Sequence, residues 1–391
     1  MFDSLALTDS VPLRRAAAFV SALLLVASLA SPGARALETS AREAILIDVS
    51  SNTVLFEKDA DASMPPASMS KIMTAYVTFQ RLKEGRLSLE DKLPVSEKAW
   101  RKGGSKMFVE VGNEVRVEDL LRGVIVQSGN DACIVLAEGL SGSEEAFAEE
   151  MTRVAREIGM ADSTFTNSTG WPDPNHRMTA RDLALLAQRT IEDHPEFYHL
   201  YSETEFTYHG IRQGNRNPLL YKSLGADGLK TGHTEEAGYG LTASAVRGDR
   251  RVVLVINGLE SVRARSEEAA RLIAWAFREF ETYKLFDPSE VVEDAPVWQG
   301  TEDSVPLVFP EGLKVTLSRQ ARRDMTVKVA YTAPIPAPIE AGQEVASLVI
   351  ETGQGEPLRY PLLAGEAVEQ RGAIGRLWSG LRYLVLGPSL R

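Results

Sequence analysis

The order in which helical and strand patterns occur constrains this chain more than any other feature. From about Leu37 to Lys284 the two alternate. After Phe286 the helical pattern stops, and short β-rich pieces such as VKVAYTA and EVASLVIET are separated by prolines running from Pro288 to Pro361. Proline lacks a backbone donor and breaks helix interiors, so this second stretch is confined to short strands and turns. We therefore expect a larger mixed domain over residues 37–284 and a small all-β domain over 285–368, joined near Lys284–Asp294. In the first, ALETSAREAILIDVSSNTVLFEKDAD reads as two strands joined at Ser50-Ser51-Asn52, with Ile45, Ile47 and Val49 alternating. Helical spacing runs over Ser68–Glu84, Val117–Val126, Asp131–Leu140 and Glu144–Ile158. Another helix starts from the cap-like Thr179-Ala180-Arg181-Asp182 and runs towards Glu192. Strand-like runs follow Gly228, and a last helix is expected over Ser266–Thr282.

The two ends stand apart from this body. Arg14 and Arg15 precede fifteen almost wholly apolar residues, Ala16 to Ala30, and Ala34-Arg35-Ala36 supplies an A-x-A cleavage site. That stretch is shorter than the ~20 residues of a membrane span. Residues 1–36 are therefore expected to be a cleaved signal peptide, and the protein to be exported. At the far end, residues 369–391 place Ile374, Leu377, Trp378, Leu381, Leu384 and Val385 at helical spacing. Arg371, Arg376 and Arg382 are interleaved, and no acidic residue follows Glu369. This pattern suits an amphipathic helix lying on a membrane through residues 371–387.

Charge and composition exclude several functions. A formal net charge of −11 leaves no global basic footprint for nucleic acid. Cys133 is the single cysteine, which rules out an intramolecular disulfide framework and cysteine-rich metal sites. His194 and His199 are five apart and no His-Glu-x-x-His occurs, so neither a metal nor a cofactor is expected. Cys133 follows Asn130 on an apolar helix and reads as a small buried hydrophobe, with a cleft-side reactive thiol as the sharper alternative.

Three short motifs carry the chemistry. Ser68-Met69-Ser70-Lys71 puts Ser68 and Lys71 on one face of a helix start, where free N–H groups favour a developing oxyanion. A serine hydroxyl needs a neighbouring base, and a lysine serves if desolvation and other cations lower its pKa. Ser128-Gly129-Asn130 falls in a polar break between two apolar helices and can present a hydroxyl and an amide to a cleft. Lys230-Thr231-Gly232 opens a strand-like stretch, where a small residue at 232 would let a substrate backbone approach the strand edge.

Taken together and in this order, S-x-x-K, S-x-N and K-T-G match the trio of penicillin-binding proteins and class A β-lactamases, with Gly129 in place of the aspartate of S-D-N. The sequence resembles the D-alanyl-D-alanine carboxypeptidases of the low-molecular-mass penicillin-binding proteins, peptidase family S11. PASMSKIMTAYV, VQSGNDACIVLAEGLSGSEEAF, GIRQGNRNPLL, DGLKTGHTEEAGYGLTASA and RLIAWAFREFET carry the likeness, which extends to the β region and the terminal helix. It implies an α+β, β-lactamase/transpeptidase-like domain with an antiparallel sheet flanked by helices, then a small all-β domain and a C-terminal amphipathic helix. It implies that Ser68 is the acyl-ester nucleophile, Lys71 its general base and Ser128 a proton relay. Asn130, Lys230, Thr231 and Gly232 would bind substrate, with backbone N–H groups of Ser68 and His233 as oxyanion hole. Arg216 and Arg265 match arginines at the cleft and the carboxylate site, although Arg263 lies two residues from Arg265. Implied partners are peptidoglycan stem peptides ending in D-Ala-D-Ala, β-lactam antibiotics and a membrane surface, with the protein on the periplasmic face of the inner membrane.

Two rivals share part of this pattern. A β-lactamase needs a deacylating glutamate, typically E-x-x-L-N between the second and third motifs, and Thr166–Arg177 offers none. A non-hydrolysing penicillin sensor or wall scaffold would need a transmembrane transmitter segment, which the sequence does not supply. His233 invites a triad reading, but no aspartate is placed to orient it, so its backbone N–H is favoured.

Overall fold

The computed structural model describes residues 37–353 and 355–375. The expected signal peptide and residues 376–391 of the expected terminal helix lie outside the described residues.

Strands β1 (Glu43–Asp48) and β2 (Thr53–Lys58) form the hairpin around Ser50–Asn52. With β3 (Ala226–Thr234), β4 (Gly238–Arg247) and β5 (Arg250–Leu259) they make a five-stranded sheet of order β2-β1-β5-β4-β3, antiparallel throughout. The middle strand explains its own position. Val252 to Ile256 are all fully buried, so both faces of β5 are covered, as a continuous apolar run requires. Helices α5 (Ala180–Asp193) and α6 (Val262–Glu279) pack against it. At the edge of the sheet, β3 carries the K-T-G.

Two helices have almost no polar face over their first turns, and both are interior. All residues of α1 (Lys71–Lys83) from Lys71 to Phe79 are buried, and so are those of α3 (Asn130–Ser141) from Asn130 to Ala137. A helix that is apolar all round belongs in a core. Both begin at the motifs, α1 behind Ser68 and α3 behind Ser128. The others, α2 (Val117–Ile125) and α4 (Glu144–Glu157), present one apolar face each.

The helix that closes the mixed domain differs from expectation. It spans Val262–Glu279 instead of Ser266–Thr282, because the Ser261 hydroxyl caps it by accepting from the Ala264 N–H. Its end is set by pairing: Phe280–Phe286 leaves the helix directly as a strand and joins Leu313–Ser318. The backbone thus enters the β region at Phe280. That region holds a second core around Ala295, Val305, Leu348 and Leu362, under a six-stranded sheet running from Val291 to Ala364. A hydroxyl bridge ties it to the β1–β2 turn: Ser51 Oγ and Thr282 Oγ1 lie 2.6 and 2.7 Å from Thr316 Oγ1. Arg371, expected to face lipid, is docked here instead. Its guanidinium binds Asp303 at 2.8 Å and donates to the Gly300 carbonyl.

Candidate active site

Ser68 is not on an α-helix. Ala67–Ser70 form one 3₁₀ turn ahead of α1, and Ser68 is its one residue with appreciable exposure. In a 3₁₀ turn residues i and i+3 eclipse, so the S-x-x-K spacing stacks the lysine under the serine more closely than an α-turn would. Lys71 Nζ lies 2.9 Å from Ser68 Oγ. The turn is held tightly. Ala67 has a left-handed φ of +49°, a strained state for a residue other than glycine. A side chain on Gly170, itself at φ +71°, would run into the Ala67 carbonyl.

Lys71 is only 1% exposed, and its Nζ also donates to the Thr169 carbonyl at 2.6 Å. Burial, aided by the nearby cations Arg216 and Lys102, lowers its pKa from 10.5 to about 8. No carboxylate pairs with it among the described residues. Cys133 is fully buried nearby, and burial pushes its thiol up to about 12, so it is a neutral packing group and not a reactive thiol.

In the second motif, Ser128 has φ +60° and a buried Oγ with no hydrogen-bond partner among the described residues. Asn130, the first residue of α3, donates through Nδ2 to the Gly103 carbonyl at 2.9 Å. A side-chain carbon on Gly129 would lie 2.9 Å from Asp131 Oδ1 and 3.1 Å from the Met107 nitrogen, which explains why a glycine sits there.

The third motif runs alongside the serine turn. Lys230 is buried and donates to the Thr231 carbonyl at 3.1 Å. Burial first, then the charges of Lys71 and Arg216, hold its pKa well below the usual lysine range. The glycine at 232 also has a packing reason: its Cβ would lie 2.8 Å from the Pro66 carbonyl and 3.2 Å from Ala67 Cβ. The edge strand and the serine turn are thus in backbone contact. His233 is exposed, and its ring stacks on Tyr239 at 3.9 Å.

The two arginine questions resolve by geometry. Arg216 donates to Ser105 Oγ at 2.6 Å, from a loop facing Lys230 and Lys71. Arg265 is buried with its guanidinium carbon 5.8 Å from the Tyr239 ring and its Nε unpartnered among the described residues. Arg263 points outward and pairs with Glu267 at 2.7 Å. Lys71 feels the charges of Arg216 and Lys102, and Lys230 those of Lys71, Arg216 and Arg265, a local positive field in an acidic protein suited to an anionic group.

Several supporting groups left no trace in the motifs. Asp131 follows Asn130 and accepts the N–H groups of Met107, Phe108 and Val109 at 2.9, 2.9 and 3.2 Å, so it fixes the loop that supplies Gly103 and Ser105. Thr169 acts through its carbonyl. Ser70 and His176 are bonded to each other behind the serine turn at 2.8 Å.

A hydroxyl facing a buried amine at hydrogen-bond distance, with a cationic cleft beside it, defines a serine acyl-transfer enzyme that uses lysine where others use histidine. Comparison with known proteins makes the assignment specific. Residues 30–261 match peptidase S11, D-alanyl-D-alanine carboxypeptidase, and residues 280–370 match the C-terminal domain of penicillin-binding protein 5. The chain is 41% identical over 346 residues to the D-alanyl-D-alanine carboxypeptidase DacC of Escherichia coli, covering 86% of each. It is 35% identical over 358 residues to DacA of Haemophilus influenzae, covering 90% of this chain and 91% of that one. Penicillin-binding protein 5 from Haemophilus influenzae superposes with a TM-score of 0.80 at 34% identity, over 85% of this chain and 99% of that one. Penicillin-binding protein D2 from Listeria monocytogenes, solved in its ampicillin-bound form, matches with a TM-score of 0.57 at 31% identity, over 62% of this chain and 99% of that one. The chain belongs to the D-alanyl-D-alanine carboxypeptidase family, peptidase S11. It is a serine-type D-Ala-D-Ala carboxypeptidase of peptidoglycan metabolism, with a transpeptidase-like domain followed by an all-β domain.

Proposed function

We propose that catalysis runs through an acyl-enzyme on Ser68. The observation that carries this is the 2.9 Å approach of Lys71 Nζ to Ser68 Oγ, with the lysine buried and no carboxylate paired with it among the described residues. There Lys71 is a neutral amine for a useful fraction of the time and can take the serine proton. Oγ then bonds to the carbonyl carbon between the two D-alanines of a stem peptide. The tetrahedral oxyanion is received by the backbone N–H groups of Ser68 and His233. Collapse breaks the C–N bond, and the leaving D-alanine amine takes its proton through the Ser128 hydroxyl. Water then cleaves the ester and returns the proton to Ser68.

Asn130 orients the peptide carbonyl and Gly232 lets the substrate backbone approach, while Lys230, Thr231 and Arg265 receive the free C-terminal carboxylate, with Arg216 beside the cleft. A β-lactam enters the same route because its strained amide mimics the scissile bond. Residues 1–36 are proposed to export the enzyme to the periplasm. The β region over 285–368 would then space the active site from an inner-membrane surface held by the basic, apolar segment after residue 375. Intact-mass analysis after penicillin treatment should show one adduct on the protein and none on Ser68→Ala. An adduct that survives in that variant overturns the assignment.

A further inference from the structure

Residues 164–177 form a closed loop. Thr164 and Arg177 exchange backbone hydrogen bonds at its neck, with N···O distances of 2.8 and 3.1 Å. Its tip reaches the serine turn, where the Thr169 carbonyl binds Lys71 and Gly170 abuts Ala67. Compact loops of this kind are frequently functional. Between neck and tip lies His176, 2% exposed, with its ring edge-on to Phe165 at 5.5 Å. Its Nδ1 accepts the Thr166 N–H at 3.2 Å, so the ring hydrogen sits on Nε2 and is donated to Ser70 Oγ at 2.8 Å. Ser70 is fully buried and stands between the two catalytic partners in sequence, two residues after Ser68 and one before Lys71.

We propose that His176 is a positioning residue for the acylation step: its Nε2–H bond to Ser70 clamps the loop onto the serine turn and so fixes the Thr169 carbonyl against Lys71. The two ring nitrogens are taken up by Ser70 and Thr166, so the imidazole acts through those contacts. It links two segments, each holding one side of the lysine amine, through a single hydrogen bond. The clamp needs a neutral ring, because a proton on Nδ1 would face the Thr166 N–H. Burial supplies that neutrality by lowering the His176 pKa to about 4, helped by the charges of Lys71 and Arg177 and opposed by Asp173. The inference rests on the reading of Lys71 as base.

The test compares penicillin acylation at saturating β-lactam, across pH, in the wild type, Lys71→Ala, Ser70→Ala, His176→Phe and His176→Gln. His176→Phe keeps ring volume and loses the donor, whereas glutamine can return an N–H to Ser70. We expect His176→Phe and Ser70→Ala to slow the acylation step on the order of 10–100-fold with little change in the preceding non-covalent affinity, as misplacement of a catalytic group does. The acid limb of the rate profile should also move up, since a loosened loop admits water to Nζ. A Ser70→Ala/His176→Phe double variant should be no slower than the slower single, and His176→Gln should recover most of the rate. The proposal is overturned if Ser70→Ala keeps rate and limb within twofold of wild type, or if glutamine rescues nothing. Should His176→Phe fail to fold, Ser70→Ala and His176→Gln decide alone. If Lys71→Ala itself acylates at the wild-type rate, the base reading has failed; normal clamp variants beside a slow Lys71→Ala refute only the clamp.

Discussion

Acylation of Ser68 should rise with pH through a limb near 8, and substitution should show that Lys71 sets it. Displacement of that lysine from 10.5 to about 8 favours its free amine by about 3 kcal/mol. At pH 7 a lysine titrating at about 8 is roughly 10% neutral, whereas one in its ordinary range is neutral to well under 0.1%. The same geometry with a solvated lysine would therefore acylate on the order of 10²-fold more slowly near neutrality. The assay is the second-order rate of labelling by a fluorescent penicillin between pH 5 and 10. The sign follows from the chemistry: the rate is low below 8, where Lys71 carries a proton, and grows as that proton is lost. Burial and the charges of Lys71 and Arg216 act on Lys230 in the same direction, so its charge too should be lost below the usual lysine range. Arg216→Met removes one of the cations that lower Lys71 and should push the acid limb upward, while burial, the larger cause, remains. Lys71→Arg, which cannot deprotonate near neutral pH, should abolish the limb with the rate. A wild-type limb at 10 or above, or a Lys71→Arg enzyme labelled at the wild-type rate, refutes the reasoning.

Three further outcomes follow from single contacts. Asp131→Ala leaves three backbone N–H groups of the 107–109 loop without their acceptor and should cost about 3–5 kcal/mol in urea unfolding, with Asp131→Asn losing less; a cost under about 1 kcal/mol would show that the loop stands without it. Arg265→Ala should slow hydrolysis of a D-Ala-D-Ala peptide far more than that of its C-terminally amidated analogue, while Arg263→Ala, exposed and paired with Glu267, should change neither; equal losses on both peptides would make Arg265 structural. Ending the chain after residue 375 should leave a folded enzyme that sediments away from anionic vesicles and still binds penicillin; continued vesicle binding would place the membrane contact elsewhere.

Much of this site could be read directly because its chemistry is local. S-x-x-K spans one turn, so the contact between Ser68 and Lys71 is nearly dictated by spacing, even though the turn is 3₁₀ and not α. Sequence favours Arg265 over Arg263 only loosely, because the two lie two residues apart and the start of the helix is not marked clearly. Once Ser261 caps it, the phase is fixed: Arg265 shares a face with Ala269, Leu272, Ile273 and Ala276, and Arg263 turns outward with Glu267. What stayed hidden acts at long range or through the backbone. A carbonyl such as Thr169 O has no residue type to betray it. Asp131 was visible beside Asn130, but its partners arrive from a loop more than twenty residues earlier. The smallness of Gly232 is legible, but its packing against Pro66 and Ala67 is not, since no sequence pattern says that the serine turn lies against that strand.

The buried cations connect stability to specificity. Lys71, Lys230 and Arg265 lie at 1%, 3% and 6% exposure, and none has a carboxylate partner among the described residues. Taking a charge out of water without a counterion is unfavourable, and the downward displacement of both lysines is that penalty expressed as proton affinity. A fold selected for stability alone would place an aspartate or glutamate among them. An acidic chain has many such residues, so their absence here leaves a field that only an incoming anion can complete. A free C-terminal carboxylate supplies that anion, and binding beside Lys230 would restore its charge while leaving Lys71 desolvated and basic. On this account the preference for a free terminal carboxylate and the basicity of the neighbouring amine have one electrostatic cause: neither lysine has a carboxylate ion-pair partner among the described residues.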